Sequence, residues 1–195
     1  MAESPARVRA AKTVQAWIEL LANDPEAVSA AQVARTRLRA GREIRSMRRL
    51  RLIELQGRLP TRPKLEKLLH LSTQFYNPHK ERCDVRVAPR DRSPVPAGAD
   101  VVVVTERGGE RRPAAERWWR QETGQDIEVR EGVVWVVEWD KDRGLLDDLV
   151  RLQGREHGLL CNPFAQEART SSNKIPLPWI SPAPPASASR EEEDR

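Results

Sequence analysis

Apolar positions recur along the chain with two periods. Val14, Trp17, Ile18 and Leu21 stand at spacings of 3, 4 and 7, which predicts a helix over Thr13 to Asp24, stopped by Asn23, Asp24 and Pro25. Between Val28 and Leu55 the pattern is mixed. Ile44 with Met47 fits a helical face, whereas Leu50, Leu52, Ile53 and Leu55 also fit a short strand; the reading favours helix as far as Arg49. Pro63 opens a further helix with Leu65, Leu68 and Leu69 turned inward, and it ends before Asn77 and Pro78. A short strand over Cys83 to Ala88 alternates Cys83, Val85 and Val87 against Asp84 and Arg86.

The second half carries clearer signals. Asp100 to Glu106 reads as a buried Val-rich strand, and Pro113 to Thr123 as a helix with Gly124 just beyond its end. Ile127 and Val129 form a short strand leading to Arg130, Glu131 and Gly132. Val133 to Trp139 alternates as a strand, Gly144 to His157 is helical through Leu145, Leu149 and Leu152, and a weak strand runs from Phe164 to Thr170. The expected fold class is α+β: a small strand-helix-strand-helix-strand sheet with helices on one face in the second half, and a mainly helical first half. The predicted units are 1–88, a Pro- and Gly-bearing linker over 89–99, an α+β domain over 100–171, and a Pro-rich acidic tail over 172–195 that composition marks as disordered. Within that tail Ile175 to Ile180 is an apolar knot, expected to dock beside the sheet of residues 100–171 or on a partner, with Trp179 as its anchor.

Composition narrows the function classes. Hydrophobic residues are 38% and charged residues 32% of the 195, so the core is modest and a large single-core enzyme is not expected. No stretch approaches the roughly 18 apolar residues of a membrane helix, and Met1 to Ala11 lacks the apolar block of a secretory leader. With two cysteines, both expected to be reduced, the chain reads as cytoplasmic. The net charge of +5 is concentrated: Arg35 to Arg58 holds nine arginines against Glu43 and Glu54, so that segment is +7 and the remainder −2. Arg45, Arg48, Arg49 and Arg51 are therefore candidate anion ligands, for nucleic acid or an acidic partner; the plain alternative is a solvated helix face.

Catalytic signatures are absent from the sequence. There is no Gly-x-Ser-x-Gly, dinucleotide fingerprint or Walker loop, and Gly108-Gly109 lacks the rest of any phosphate cradle. His79-x-x-x-Cys83 and His157-x-x-x-Cys161 share one spacing, but closed zinc sites use tighter Cys-x-x-Cys pairs; no metal or other cofactor is expected, and no enzyme. Trp118 and Trp119, neighbours on a helix, diverge by about 100° and cannot share one core, so one is a candidate interface anchor, or else lies under the linker.

Two stretches carry the same signature, an amphipathic helix, an apolar pair, Asn-Pro, then a strand. They centre on Asn77-Pro78 and Asn162-Pro163, 85 residues apart (162 − 77). A degenerate internal repeat and two independent helix stops explain this equally well. The second half resembles the small S subunit of bacterial phosphoribosylformylglycinamidine synthase. The likeness rests on Asp126 to Trp139, with Val129-Arg130-Glu131-Gly132, and on Gly-Leu-Leu-Cys-Asn-Pro-Phe within His157 to Glu167. The resemblance covers residues 100–171 and implies a noncatalytic assembly subunit of purine biosynthesis. It would dimerise through its sheet and bridge a glutaminase to an ATP-dependent synthetase, with homo-oligomerisation or a tandem copy serving the dimer. Arg111-Arg112-Pro113-Ala114 departs from that family's helix opening, where only the proline agrees.

Overall fold

The computed structural model describes residues 12–107, 111–140, 146–151, 158–172 and 174–181. Its elements are β1 (Lys12–Leu20), α1 (Pro25–Arg37), β2 (Ile44–Gly57), α2 (Arg62–His70), β3 (Glu81–Arg86), β4 (Asp100–Glu106), α3 (Pro113–Thr123), β5 (Ile127–Trp139), α4 (Leu146–Val150) and β6 (Gln166–Ser171). All six strands form one antiparallel sheet in the order β3-β1-β2-β5-β4-β6. Read outward from the β2–β5 junction, each side runs in the same way: β2, β1, β3 and β5, β4, β6.

The first half is thus not mainly helical; like the second, it is strand, helix, strand, helix, strand. The stripe at 14–21 is β1, not a helix. Both faces of β1 are covered, so Val14, Ala16 and Ile18 point one way and Trp17 the other, and the nearly continuous apolar run mimics helical spacing. Cross-strand pairing with β2 and β3 decides the outcome, as it does for the arginine-rich β2, whose helix-favouring composition is a weaker preference. Asn23-Asp24-Pro25 is not a stop but a start. Asp24 accepts from the Glu26 backbone N–H at 2.9 Å and Pro25 takes the first turn of α1.

In the second half, β4 and α3 have their expected bounds, and Gly124 closes α3 at φ 70°, a left-handed position suited to glycine. Ile127 to Trp139 is one continuous strand, where a break at Arg130 to Gly132 was expected. Gly132 lets its neighbours pack close to the strand: a Cβ there would lie 3.0 Å from Thr105 Cγ2 and 3.1 Å from Ile180 Cδ1. Of the expected helix over 144–157, Leu146–Val150 is helical, and 144–145 and 152–157 lie outside the described residues.

Alternation along the strands sets two layers. On one face α2 and α3 pack Leu65, Leu68, Leu69, Ala115 and Trp119 onto Val14, Ile53, Leu55 and Val129. On the same face, α1 and α4 pack Ala27, Ala31, Ala34 and Leu149 onto Met47, Val102, Trp135 and Val137. The opposite face carries Trp17, Leu50, Leu52, Val101, Val103, Val134 and Val136, and it is closed by Ala99 and Val95 of the 89–99 segment and by Ile175, Trp179 and Ile180. The helices therefore share one face, as expected, and the apolar knot of Ile175 to Ile180 docks on the sheet as part of a core; 182–195, including Glu191 to Asp194, lie outside the described residues. The 89–99 boundary falls between two halves of one sheet. Among the described residues no helix is long and apolar enough to cross a membrane.

Candidate functional site

The arginines of β2 alternate between the two sheet faces, and each of the four candidate anion ligands meets protein acids. Arg49 pairs with Asp24 at 3.3 Å and Glu26 at 3.0 Å. Arg51 pairs with Glu81 at 3.0 Å and Glu131 at 3.2 Å and donates to the Phe75 carbonyl at 2.9 Å. Arg112 also pairs with Glu131. Together these charges form a polar strip across the helical face, between the apolar cluster of α2 and α3 and that of α1 and α4. On the other side Arg48 pairs with Glu19 at 2.8 Å, shared with Arg82 at 2.5 Å, and Arg45 pairs with Glu138 at 2.9 Å. Arg37, Arg39 and Arg42 are exposed and make no ion pair among the described residues. Four of the segment's nine arginines, those of β2, are thus paired with acids within the fold.

The Asn-Pro stretches are built alike. Asn77 Oδ1 accepts from the His79 N–H at 3.0 Å, and Asn162 Oδ1 accepts from the Phe164 N–H at 3.1 Å. The Asn77 carbonyl accepts from Glu81 N–H at 2.8 Å and that of Asn162 from Gln166 N–H at 2.7 Å. Each Asn N–H in turn donates to the side chain four residues on, Glu81 at 2.6 Å and Gln166 at 3.0 Å. Even the joints to neighbouring strands correspond: Leu21 N–H to the Lys80 carbonyl at 2.9 Å, Arg107 N–H to the Ala165 carbonyl at 2.8 Å. Pro78 and Pro163 follow the asparagine in turns that turn the chain into the edge strands β3 and β6. These edges are short and charged, a composition that discourages further strand addition.

Trp118 and Trp119 do not separate into different cores as their spacing predicts: both pack on the α2–α3 cluster and both meet Phe75 edge-on, Trp119 at 6.2 Å. Trp119 is fully buried, whereas Trp118 is half-buried and meets Phe75 edge-on at 5.6 Å rather than lying under the 89–99 segment. Trp179 is buried on the opposite sheet face, tilted against Trp17 at 6.4 Å.

What holds Trp179 there was not legible as a site. Glu54, fully buried on β2, accepts from the backbone N–H groups of Trp179 at 2.6 Å, Ile180 at 3.0 Å and Ser181 at 2.6 Å, and from Gln15 Nε2 at 2.8 Å. Gln15, also fully buried, donates as well to the Pro176 carbonyl at 2.8 Å and accepts from Arg86 at 3.0 Å. Burial lowers the pKa of Arg86, against the pull of Asp91 and Glu54. The available signal was a polar residue inside an apolar run, Gln15 between Val14 and Ala16 and Glu54 between Ile53 and Leu55.

Nucleophilic chemistry finds little support in the geometry. Burial pushes the Cys83 thiol up to about 12, and burial also raises Cys161, so neither favours a thiolate. His157 lies outside the described residues, and among those described no group of three or more His, Cys, Asp or Glu is placed to hold a metal. Comparison with protein-family models, with curated proteins and with solved structures finds no match to this chain.

Proposed function

We propose that the chain is a noncatalytic assembly subunit, a tandem of two strand-helix-strand-helix-strand units, resembling the small S subunit of a purine-biosynthetic glutamine amidotransferase. The observation that carries this reading is the β2–β5 pairing, from Ile44↔Trp139 to Gly57↔Ile127, which joins the halves edge to edge into one sheet. A subunit that dimerises through its sheet would make such a junction between two chains; here a degenerate internal repeat makes it within one. The matching Asn77 and Asn162 hydrogen bonds, 85 residues apart, favour duplication over two unrelated helix stops. By this reading the units are 1–88 and 100–171, joined by 89–99, the function is to bring a glutaminase and a synthetase together in the cytoplasm, and no cofactor is needed. Half-buried Trp118 is the candidate anchor for such a partner.

The reading is tested by gel filtration of a clarified lysate. Comigration of the chain with a glutamine amidotransferase and an ATP-dependent synthetase supports it. Recovery only with RNA, released by ribonuclease, overturns it in favour of nucleic-acid binding.

A further inference from the structure

Beside α2, at the end of α3, lies a recess of about 410 Å³. Arg58 and Lys64 line it, neither makes an ion pair or side-chain hydrogen bond among the described residues, and no carboxylate residue lines it. All four β2 arginines are paired with acids, whereas these two cations, like the exposed Arg37, Arg39 and Arg42, make no ion pair among the described residues. They flank the start of α2, where Thr61 makes no side-chain capping bond, so the positive end of that helix adds to the same field. The inner wall is Trp119, fully buried, whose indole N–H has no hydrogen-bond partner among the described residues. Leu59 and Leu68 complete an apolar side, and Gln125 offers a further polar group at the rim.

We propose that this recess binds a small organic phosphate monoester, its phosphate held by Arg58 and Lys64 at the mouth and its planar or apolar body against Leu68 and Trp119. The volume exceeds what inorganic phosphate needs and falls in the range of small-ligand pockets, about 300 to 1,000 Å³. This site is separate from the β2–β5 junction and does not depend on the assembly reading.

Phenyl phosphate is the probe, titrated into the full ¹⁵N-labelled chain while the six tryptophan indole cross-peaks are followed. The expected result is a saturable shift of one indole resonance, that of Trp119, together with the backbone amides of Lys64 and Gln125. Inorganic phosphate and phenol, carrying one half of the recognition each, should bind about tenfold more weakly or not at all. The double variant Arg58→Gln, Lys64→Gln removes only exposed side chains and should weaken phenyl phosphate by about tenfold or more, with the melting temperature unchanged. Should Trp119→Phe fail to fold, the Lys64 and Gln125 amides serve as the readout. No saturable shift, or equal binding by the double variant, overturns the proposal; equal binding of inorganic phosphate restricts the site to the anion and overturns its organic specificity.

Discussion

The Glu54 carboxylate and the Trp179 backbone N–H lie 2.6 Å apart, though 125 residues separate them in the chain. With Ile180 and Ser181 donating to the same carboxylate, a strand near the middle of the sheet holds the C-terminal segment as a helix N-terminus holds an anion, three N–H groups on one charge. Such bonds tolerate poorly the loss of an acceptor. In Glu54→Gln the oxygen that now accepts from Ile180 and Ser181, or its partner, becomes an NH₂ group facing N–H donors. The expected loss is about 2 to 4 kcal/mol by urea denaturation, from a buried charge-assisted network left partly unmade. Limited proteolysis should also cut after residue 172 in the variant first. A variant as stable and as resistant as the parent would show that the segment is held by its apolar side chains alone.

Gly132 supplies a second hold on the same segment. Adding a methyl there meets Thr105 Cγ2 at 3.0 Å and Val103 Cγ2 and Ile180 Cδ1 at 3.1 Å, all side-chain atoms that can give way. Gly132→Ala should therefore destabilise by about 1 to 2 kcal/mol rather than unfold the sheet. Because Ile180 is one of the three neighbours, Gly132→Ala and Ile180→Ala should couple in a double-mutant cycle, the pair costing less than the sum. Strict additivity would place Ile180 away from Gly132 in solution.

The elements that could be read from sequence are those whose ends are written locally. Pro113 and Gly124 bracket α3, and the Val101 to Val104 run marks β4. β1 and β2 could not be read so, because covering both faces erases the alternation that identifies a strand, and two of the covering partners, α3 and Ile175 to Ile180, lie far along the chain. Likewise the apolar character of Ile175 to Ile180 predicted burial, but nothing near Trp179 in sequence names Glu54 as the acceptor of its N–H. The β2 arginines show the converse: their charge was plain, and the pairing of Arg45, Arg48 and Arg51 with Glu138, Glu19, Glu81 and Glu131 depends on the register of strands.

Carboxylates held low in the folded state, Glu138, Asp91 and Glu116, set an acid limit on stability. The Ser46 hydroxyl, then Arg45, holds Glu138 below its ordinary value, and the Val87 and Ala88 backbone N–H groups hold Asp91 low. All three are depressed in the folded state, so their contribution is complete above the unfolded-state values and is lost as pH falls through the folded ones. The melting temperature should be flat from pH 8 to about 5 and decline below about pH 4.5, where unfolded carboxylates begin to take up protons. Glu138→Gln should soften that decline. An acid limb of unchanged steepness in the variant would remove Glu138 from the account.

The last prediction separates a structural from a phosphate-binding role for the arginines of β2. Arg51 is about a quarter exposed and bridges Glu81 and Glu131, the latter buried at 9% exposure, so its removal strands acids on the polar strip of the helical face. Arg51→Gln should lower stability by about 2 kcal/mol, the scale expected for a partly buried pair broken on one side. Binding to duplex DNA at low salt should be weak in the parent, with a log-log salt slope shallower than about −2, since each phosphate contact releases roughly 0.9 counterion and these guanidinium groups already have partners. In the variant Arg45→Gln, Arg48→Gln, Arg49→Gln, Arg51→Gln that slope should not change, because the exposed Arg37, Arg39 and Arg42 remain. A parental slope of about −3 to −5 that flattens in the fourfold variant would mean that the ion pairs open to phosphate, and would return the β2 arginines to nucleic-acid binding.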